Sequence, residues 1–148
     1  MSFRKLDVGK IFLVRVKHDS EIIEFGTELA KRNAIMAATF TAIGALKCAK
    51  IGFYDQEKHE YLETLLSNPQ EIASCVGNIS INDGEPFVHA HVVLADNNGN
   101  AKAGHLLEGK VFAAEVHLTE LTGDKLARKK DAVTGLSLWD IQASETHP

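Results

Sequence analysis

Two hairpin-turn signals enclose one short apolar segment, and they constrain the fold of this chain more than any other feature. Residues 82–84 read Asn-Asp-Gly, and residues 96–100 read Asp-Asn-Asn-Gly-Asn. Both combinations are typical of tight turns between antiparallel strands. The segment between them, residues 85–95, is rich in valine and other side chains that favour strands. The sequence therefore predicts two antiparallel hairpins that share this strand.

Two histidines, His89 and His91, lie two residues apart on the predicted strand, so their side chains share one face. A third, His105, follows the second turn, and the register of that hairpin decides which face it occupies. An odd-numbered loop centred on Asn98 places His91 opposite His105, with all three imidazoles on one face. A two-residue turn at Asn98 and Gly99 slips the pairing by one residue and turns His105 to the other face. We favour the odd loop, with Gly99 in the left-handed conformation at a bulge.

Three imidazoles on one face form a candidate metal site. Three protein ligands with one open coordination position are typical of catalytic zinc. Imidazole nitrogens also accept nickel, copper and cobalt, so zinc is the favoured ion and another divalent transition metal is the alternative. The competing interpretation is that His89, His91 and His105 are half-buried residues that each form local hydrogen bonds. We predict the metal site because three histidines in register are harder to explain in that way.

A second polar face lies on the strand predicted at residues 110–121. Glu115 and His117 alternate there with apolar side chains. Glu115 is a weak candidate for a catalytic residue, either as a general base near the metal or as a hydrogen-bond partner of a ligand imidazole. The alternative, which we favour for both residues, is a solvated side chain on a half-exposed strand.

The rest of the chain predicts one α+β domain, mainly an antiparallel β-sheet with one clear helix packed on it. Residues 21–32 carry apolar side chains at helical spacing, and Asp19 or Ser20 can cap that helix. We assign residues 1–148 to this domain, with a core at about 3–121 and a tail at 122–148. Strands are predicted at residues 9–17, 35–42, 46–54, 58–65, 71–81, 87–94 and 110–121, with a bend at residues 43–45.

Composition limits the classes of function. The net charge is −4, which is the wrong sign for a domain whose main function is to bind the phosphate backbone of nucleic acids. No apolar run approaches the roughly 18 residues that span a bilayer, and the first residues lack the apolar core of a signal peptide. The sequence therefore predicts a cytoplasmic protein without a membrane partner. Cys48 and Cys75 form no close pair and are interpreted as small buried hydrophobes.

A basic run marks the tail. Lys125, Arg128, Lys129 and Lys130 follow a turn at residues 122–124. Such a run is usually a solvated face, and that is the interpretation favoured here. The alternative is a patch that contacts nucleic acid or another anion.

Four short motifs resemble the PPC (plants and prokaryotes conserved) domain. They are Thr-Ala-Ile-Gly-Ala at residues 41–45, Gly-Asn-Ile-Ser at 77–80, Pro-Phe-Val-His-Ala-His at 86–91 and Gly-His-Leu-Leu-Glu-Gly at 104–109. The resemblance covers about residues 3–121. It implies a compact fold around an antiparallel sheet, a homotrimer, and a cluster of His89, His91 and His105 that holds a metal, with zinc favoured. One departure is Ala103, where the family often has the first glycine of Gly-Gly-His.

The resemblance also separates three hypotheses about function. Plant members of the family bind DNA through an AT-hook with an Arg-Gly-Arg-Pro core, which this chain lacks. The first hypothesis is therefore a zinc-binding homotrimer that acts as a binding or regulatory module, with protein partners or a small anionic or carbonyl ligand at the metal. The second is a small metal-dependent enzyme that uses the open zinc position. The third, weakened by the missing AT-hook, is a DNA-associated transcriptional regulator that uses the patch from Lys125 to Lys130.

Overall fold

The fold is an antiparallel β-sheet with one helix packed on it, as the sequence predicts. The computed structural model describes residues 2–141, so the end of the predicted tail, residues 142–148, lies outside the described residues. The elements are β1 (Asp7–Val16), α1 (Ile22–Arg32), β2 (Ala38–Asp55), β3 (Glu60–Leu66), β4 (Gln70–Asn82), β5 (Glu85–Ala95), β6 (Ala101–Thr122), β7 (Arg128–Lys130) and β8 (Ser137–Trp139).

Six strands form the main sheet in the order β1-β6-β5-β4-β2-β3, and every pairing between them is antiparallel. β2 also pairs with β6 along most of its length. Because β2, β4, β5 and β6 each pair with two others of this set, the four strands form a closed ring. Such a ring leaves these strands few free edges, which keeps the position of β5 well defined.

The core fills the inner face of this ring and the space under the helix. Side chains from α1 and from four of the strands are completely shielded from solvent there. The helix contributes Ile22 and Ala30 and packs against β5 and β6. Burial of these apolar side chains fixes β5 and β6 against the helix. The largest fully buried side chains of the core are Phe40, Ile22, Ile35, Leu46, Ile79, Leu94, Leu118, Val111 and Val116.

The helix begins one residue later than predicted, and its cap is a different residue. Glu21 is the N-cap, and its carboxylate accepts hydrogen bonds from two free N–H groups of the first turn. The predicted caps, Asp19 and Ser20, were wrong. Asp19 is turned away by a left-handed backbone (φ 65°), and its carboxylate instead accepts from Lys47 Nζ at 2.6 Å. Glu21 also accepts from the Gly109 N–H at 2.8 Å, so one carboxylate joins the helix to β6.

The two strands predicted on either side of residues 43–45 form one continuous strand, β2, so the prediction of two strands was wrong. The predicted bend is present only as a shift in the pairing with β4 between Ala42 and Gly44. Gly44 has φ +131°, and a Cβ there would lie 2.2 Å from the Ala113 carbonyl oxygen. A glycine is therefore required at this position. The strand does not end here because β6 pairs with β2 on both sides of the irregularity.

Both predicted hairpins are present. Asp83 and Gly84 join β4 to β5 with positive φ angles of 48° and 87°, which suits a two-residue turn. Residues 96–100 join β5 to β6, and Ala95 pairs with Ala101 across the loop. The carboxylate of Asp96 accepts two backbone N–H groups of this loop, both at 2.9 Å. These bonds hold the loop in one conformation and therefore set the register of the strands that follow.

The tail beyond β6 forms a small hairpin of its own. β7 and β8 pair with each other and form no part of the six-stranded sheet. The hairpin is anchored to β4 by a bridge between Ile81 and Ala127. Leu126 is buried beside this bridge. Within residues 2–141, no helix has the length and apolar character needed to cross a membrane.

Candidate metal centre

The register of the β5–β6 hairpin decides the geometry of the histidines. His91 lies directly opposite His105, as the odd loop predicts, and Gly99 adopts a left-handed conformation with φ +79°. The buried positions of β5 alternate with these histidines, so His89 and His91 lie on the face that turns away from the core. The loop therefore places all three imidazoles on the outer face of the sheet.

The three imidazoles approach each other closely enough to share one ion. Their ring centroids are 5.2 Å apart for His89 and His91, 5.0 Å for His89 and His105, and 5.4 Å for His91 and His105. One nitrogen from each ring lies within 4.8 Å of the other two. A tetrahedral ion with bonds of about 2.1 Å needs ligand atoms about 3.4 Å apart. Small rotations about the side-chain torsions would bring the three nitrogens to that spacing.

The protonation state of the cluster also suits a metal. Burial, together with smaller contributions from the neighbouring His105, Arg128 and His91, lowers the pKa of His89 to about 4. Burial likewise lowers the pKa of His105, with contributions from His91 and Arg128. These two imidazoles are therefore neutral at pH 7, which is the form that ligates metal ions.

One atom of the cluster is without a partner. His105 Nδ1 is buried, and no other atom of residues 2–141 forms a hydrogen bond with it. A buried polar atom in this condition is unfavourable by about 1–3 kcal/mol. A metal ion would satisfy one nitrogen of this ring directly. The residues present therefore fit a bound metal, and the three-histidine set is the donor set typical of zinc.

The backbone behind the histidines is tightly packed. Gly77 on β4 lies opposite Ala90 on β5. A Cβ at Gly77 would lie 2.3 Å from the His89 carbonyl oxygen and 2.8 Å from Ala90 Cα. Only glycine allows β4 to approach β5 this closely, and the approach fixes the position of the histidine strand.

Arg128 lies beside the cluster, and its contribution was not predicted from the sequence. Its Nη2 is 3.4 Å from His89 Nδ1, and its guanidinium carbon lies 5.3 Å from the centre of the Phe87 ring. Burial lowers the pKa of Arg128, and Tyr61 opposes that shift. The sequence predicts Arg128 as part of a solvated basic face. That prediction was wrong for Arg128, although Lys129 and Lys130 are exposed as predicted.

A cavity of about 350 Å³ lies against His89, His105 and Arg128. Tyr61 forms part of its wall, with its ring centroid 5.1 Å from that of His105. Burial raises the pKa of the Tyr61 hydroxyl, Tyr54 adds to this rise, and Arg128 opposes it. The phenol is therefore a neutral hydrogen-bonding group at pH 7. The side chains that form the cavity include Tyr54, Tyr61, Phe87, His89, His105 and Arg128.

The structure does not bring Glu115 to the histidines. Glu115 pairs with Arg15 on β1 and with Ile43 on β2, and its side chain is exposed. It follows His105 on β6 by ten residues, which is about 33 Å along a regular strand. Glu115 and His117 instead line a separate cavity of about 480 Å³ with Leu13 and Ile43.

The fold and the site together define a class of protein, namely a mainly antiparallel sheet with one helix and an outward-facing cluster of three histidines. The chain belongs to the family of the Plants and Prokaryotes Conserved domain, abbreviated PPC or PCC, whose family model matches residues 3–122. The predicted family is therefore confirmed. None of the curated proteins matches this chain.

Solved structures with the same fold include two close relatives. A protein from Archaeoglobus fulgidus, described as metal-containing, is 42% identical with a TM-score of 0.91, over 94% of this chain and 99% of that one. A plant- and prokaryote-conserved protein from Pyrococcus horikoshii is 41% identical with a TM-score of 0.91, over 95% and 97%. A third structure, from Ralstonia eutropha JMP134, is named as a candidate DNA-binding protein and is 25% identical with a TM-score of 0.79, over 88% and 90%.

Proposed function

We propose that this protein is a homotrimeric binding or regulatory module that holds one divalent metal ion, zinc by preference, in each subunit. His89, His91 and His105 are the ligands, and the fourth coordination position is open. The observation that carries this proposal is the buried His105 Nδ1, which has no hydrogen-bond partner in the described part of the chain and lies within a cluster of three imidazoles. The relative from Archaeoglobus fulgidus, described as metal-containing and 42% identical, supports it.

A binding module is preferred to an enzyme because the carboxylate base suggested by the sequence analysis does not line the cavity beside the histidines. Of the residues 2–141, those that line the cavity beside the histidines include no aspartate or glutamate. A general base must lie within hydrogen-bond reach of the proton that it removes. Glu115, the candidate base of the sequence analysis, lines a different cavity. The open position therefore serves to hold a ligand.

DNA binding is not a second candidate function. Arg128, one of the basic residues of the tail, has its guanidinium bonded to Ser80 and Asn78 and so does not face outward as a phosphate contact. The net charge of −4 also disfavours a phosphate-binding surface. The name of the Ralstonia eutropha structure describes that protein and does not extend DNA binding to this chain.

Metal content tests the site. The metal content per subunit of untagged protein is measured by elemental analysis. His91→Ala is the test variant and His117→Ala is the matched control. His91 and His117 are both exposed on strands, so neither substitution is expected to unfold the protein. We expect close to one zinc per subunit in the wild type and in His117→Ala, and almost none in His91→Ala. If no protein holds metal even after zinc has been offered, the site does not exist.

Exposed apolar side chains support self-association. Leu13 is 79% exposed and Ile43 is 60% exposed, and the two line one cavity together. Neighbouring exposed apolar groups mark association surfaces. The proposal of three subunits in the assembly comes from the family resemblance.

Mass measurement by light scattering tests this association. We expect a trimer for the wild type and a smaller species for Ile43→Asp. Val133→Asp, which changes an apolar residue that is 81% exposed in the tail, is expected to remain a trimer. A monomeric wild type would contradict the assembly.

A further inference from the structure

Arg128 reaches the candidate metal centre from outside the part of the chain that matches the family. The match ends at residue 122, and the hairpin of β7 and β8 then carries Arg128 to the outer face of β5. Its guanidinium donates to Ser80 Oγ at 2.7 Å, to Asn78 Oδ1 at 2.8 Å and to the Ser137 carbonyl at 2.7 Å. These bonds use three of the five N–H groups that an arginine carries. Two N–H groups are left for other partners.

The positive charge of Arg128 is not balanced by a carboxylate within the described residues. Its three acceptors are all neutral oxygens, and no acidic side chain of residues 2–141 lines the adjoining cavity. A guanidinium stays charged at any ordinary pH. Because the group is half-buried, less water screens its field than at an open surface. The surroundings of Arg128 therefore favour an anion in the cavity.

Metal binding would release one of the remaining N–H groups. The contact between Arg128 Nη2 and His89 Nδ1, at 3.4 Å, needs a free lone pair on the imidazole. A neutral imidazole that ligates a metal has one nitrogen on the ion and a proton on the other. Neither nitrogen can then accept a hydrogen bond. Once the metal is bound, Arg128 thus has an unsatisfied donor beside the ring that holds the ion.

We propose that the cavity beside the histidines binds a small carboxylate, with one oxygen on the metal and the other accepting hydrogen bonds from Arg128. Such binding requires the metal site proposed above. The planar guanidinium matches the paired oxygens of a carboxylate. Phe87 and Tyr61 give apolar walls for the organic part of the ligand, and the volume of about 350 Å³ suits a small molecule. Inorganic phosphate would gain nothing from those walls.

Cobalt substitution provides a readout that does not depend on catalytic activity. Co²⁺ held by three histidines absorbs visible light, and its spectrum changes when a ligand replaces water at the open position. The full-length protein is loaded with Co²⁺ and titrated with acetate at constant ionic strength. Acetamide, which has nearly the same shape but no charge, is the control ligand. We expect acetate to change the spectrum saturably and acetamide to leave it unchanged.

Two matched variants test the role of Arg128. Arg128→Gln removes the charge beside the metal, and Lys129→Gln removes the adjacent exposed charge of the same strand. We expect Arg128→Gln to weaken acetate binding about tenfold or more at unchanged cobalt content, because hydrogen bonds to a charged group are lost. Lys129→Gln is expected to bind acetate as the wild type does. Arg128→Lys keeps the charge without the planar fork and should fall between the two, and it replaces Arg128→Gln if that variant does not fold.

The possible outcomes distinguish the metal site, carboxylate binding and the role of Arg128 from one another. Equal acetate affinity in the wild type and the Arg128 variants would overturn the role of Arg128. Stoichiometric cobalt with no response to acetate would overturn carboxylate binding and leave the metal site standing. Inorganic phosphate that binds more tightly than acetate, with the same dependence on Arg128, would overturn the choice of carboxylate. Failure to bind cobalt at all would overturn the metal site and carboxylate binding with it.

Discussion

Two hairpins build the candidate site, and they do so in different ways. The β5–β6 hairpin lies inside the six-stranded sheet, where the loop sets its register and the buried face of β5 holds it against the core. The β7–β8 hairpin has strands of only 3 residues, and β8 is exposed along its whole length. The first hairpin supplies the three histidines, and the second supplies one arginine. A set of metal ligands needs a fixed register, whereas a short and exposed hairpin is sufficient to deliver one long side chain that other residues then hold in place.

The largest effect is expected from a methyl group added behind the histidine strand. In Gly77→Ala the new Cβ would lie 2.3 Å from the His89 carbonyl oxygen. Backbone atoms of a central strand cannot easily move aside, so we expect the free energy of unfolding to fall by about 3 kcal/mol and the bound metal to decrease. Urea denaturation and elemental analysis measure both quantities.

The control for this variant is Gly99→Ala in the β5–β6 loop. Nothing lies within 4 Å of a Cβ at Gly99, so only the positive φ of 79° opposes the substitution. We expect a loss of about 1 kcal/mol for placing alanine in that conformation. Equal losses at Gly77 and Gly99 would mean that the close approach of β4 to β5 does not hold the histidine strand.

An effect of intermediate size is expected on the pH dependence of the free energy of unfolding, through His89 on the β5–β6 hairpin. Burial lowers the pKa of His89 to about 4, whereas an imidazole in an unfolded chain has a pKa of about 6.5. Between these two values the unfolded chain binds more protons than the folded chain. The free energy of unfolding of the metal-free protein should therefore fall as the pH drops from about 6.5 towards 4, with no further contribution from His89 below that.

Urea denaturation across this pH range measures the effect, and His89→Gln is the control. The variant cannot take up the proton, so its stability should depend less on pH between 6.5 and 4. An unchanged pH dependence in His89→Gln would contradict the assignment of the effect to this imidazole.

The smallest effect is expected on the side of the tail hairpin. Ser80→Ala removes the hydroxyl that accepts from Arg128 Nε at 2.7 Å. We expect the free energy of unfolding to fall by about 1 kcal/mol, with metal content unchanged, because the register of β5 and β6 does not depend on this hydroxyl. Ser137→Ala is the control, since Arg128 uses the backbone carbonyl of Ser137 and not its side chain. Loss of metal in Ser80→Ala would show that the tail hairpin helps to set the ligand geometry.

The sequence was sufficient to predict the histidine cluster because that prediction depends on local chemistry. A glycine at residue 99 and polar residues around it favour a particular loop, and the loop sets the register that places His91 opposite His105. The alternation along residues 85–95 then decides which side chains share a face. The sequence did not predict the single strand β2, because its continuity depends on pairing with β6, far away in the chain.

Arg128 could not be predicted for a similar physical reason. Nothing in the run of basic residues distinguishes Arg128 from Lys129. The difference arises because Arg128 meets the buried hydroxyl of Ser80, which lies 48 residues earlier in the chain. Likewise, Glu21 was not recognised as the helix cap because part of what holds it is the N–H of Gly109, 88 residues later. Contacts of this kind depend on tertiary structure and leave no local pattern.

The closed ring of strands implies an order of events during folding. β4, β5 and β6 follow one another through short turns, so their pairings close small loops, whereas Ala38 of β2 pairs with Glu120 of β6, roughly eighty residues away. We expect pulsed hydrogen exchange during refolding to detect protection in β5 before the contacts between β2 and β6, and the reverse order would contradict this view. The β5–β6 hairpin would then form before β2 pairs with β6 and closes the ring. A metal ion can therefore bind the three histidines early in folding, before the rest of the structure has formed.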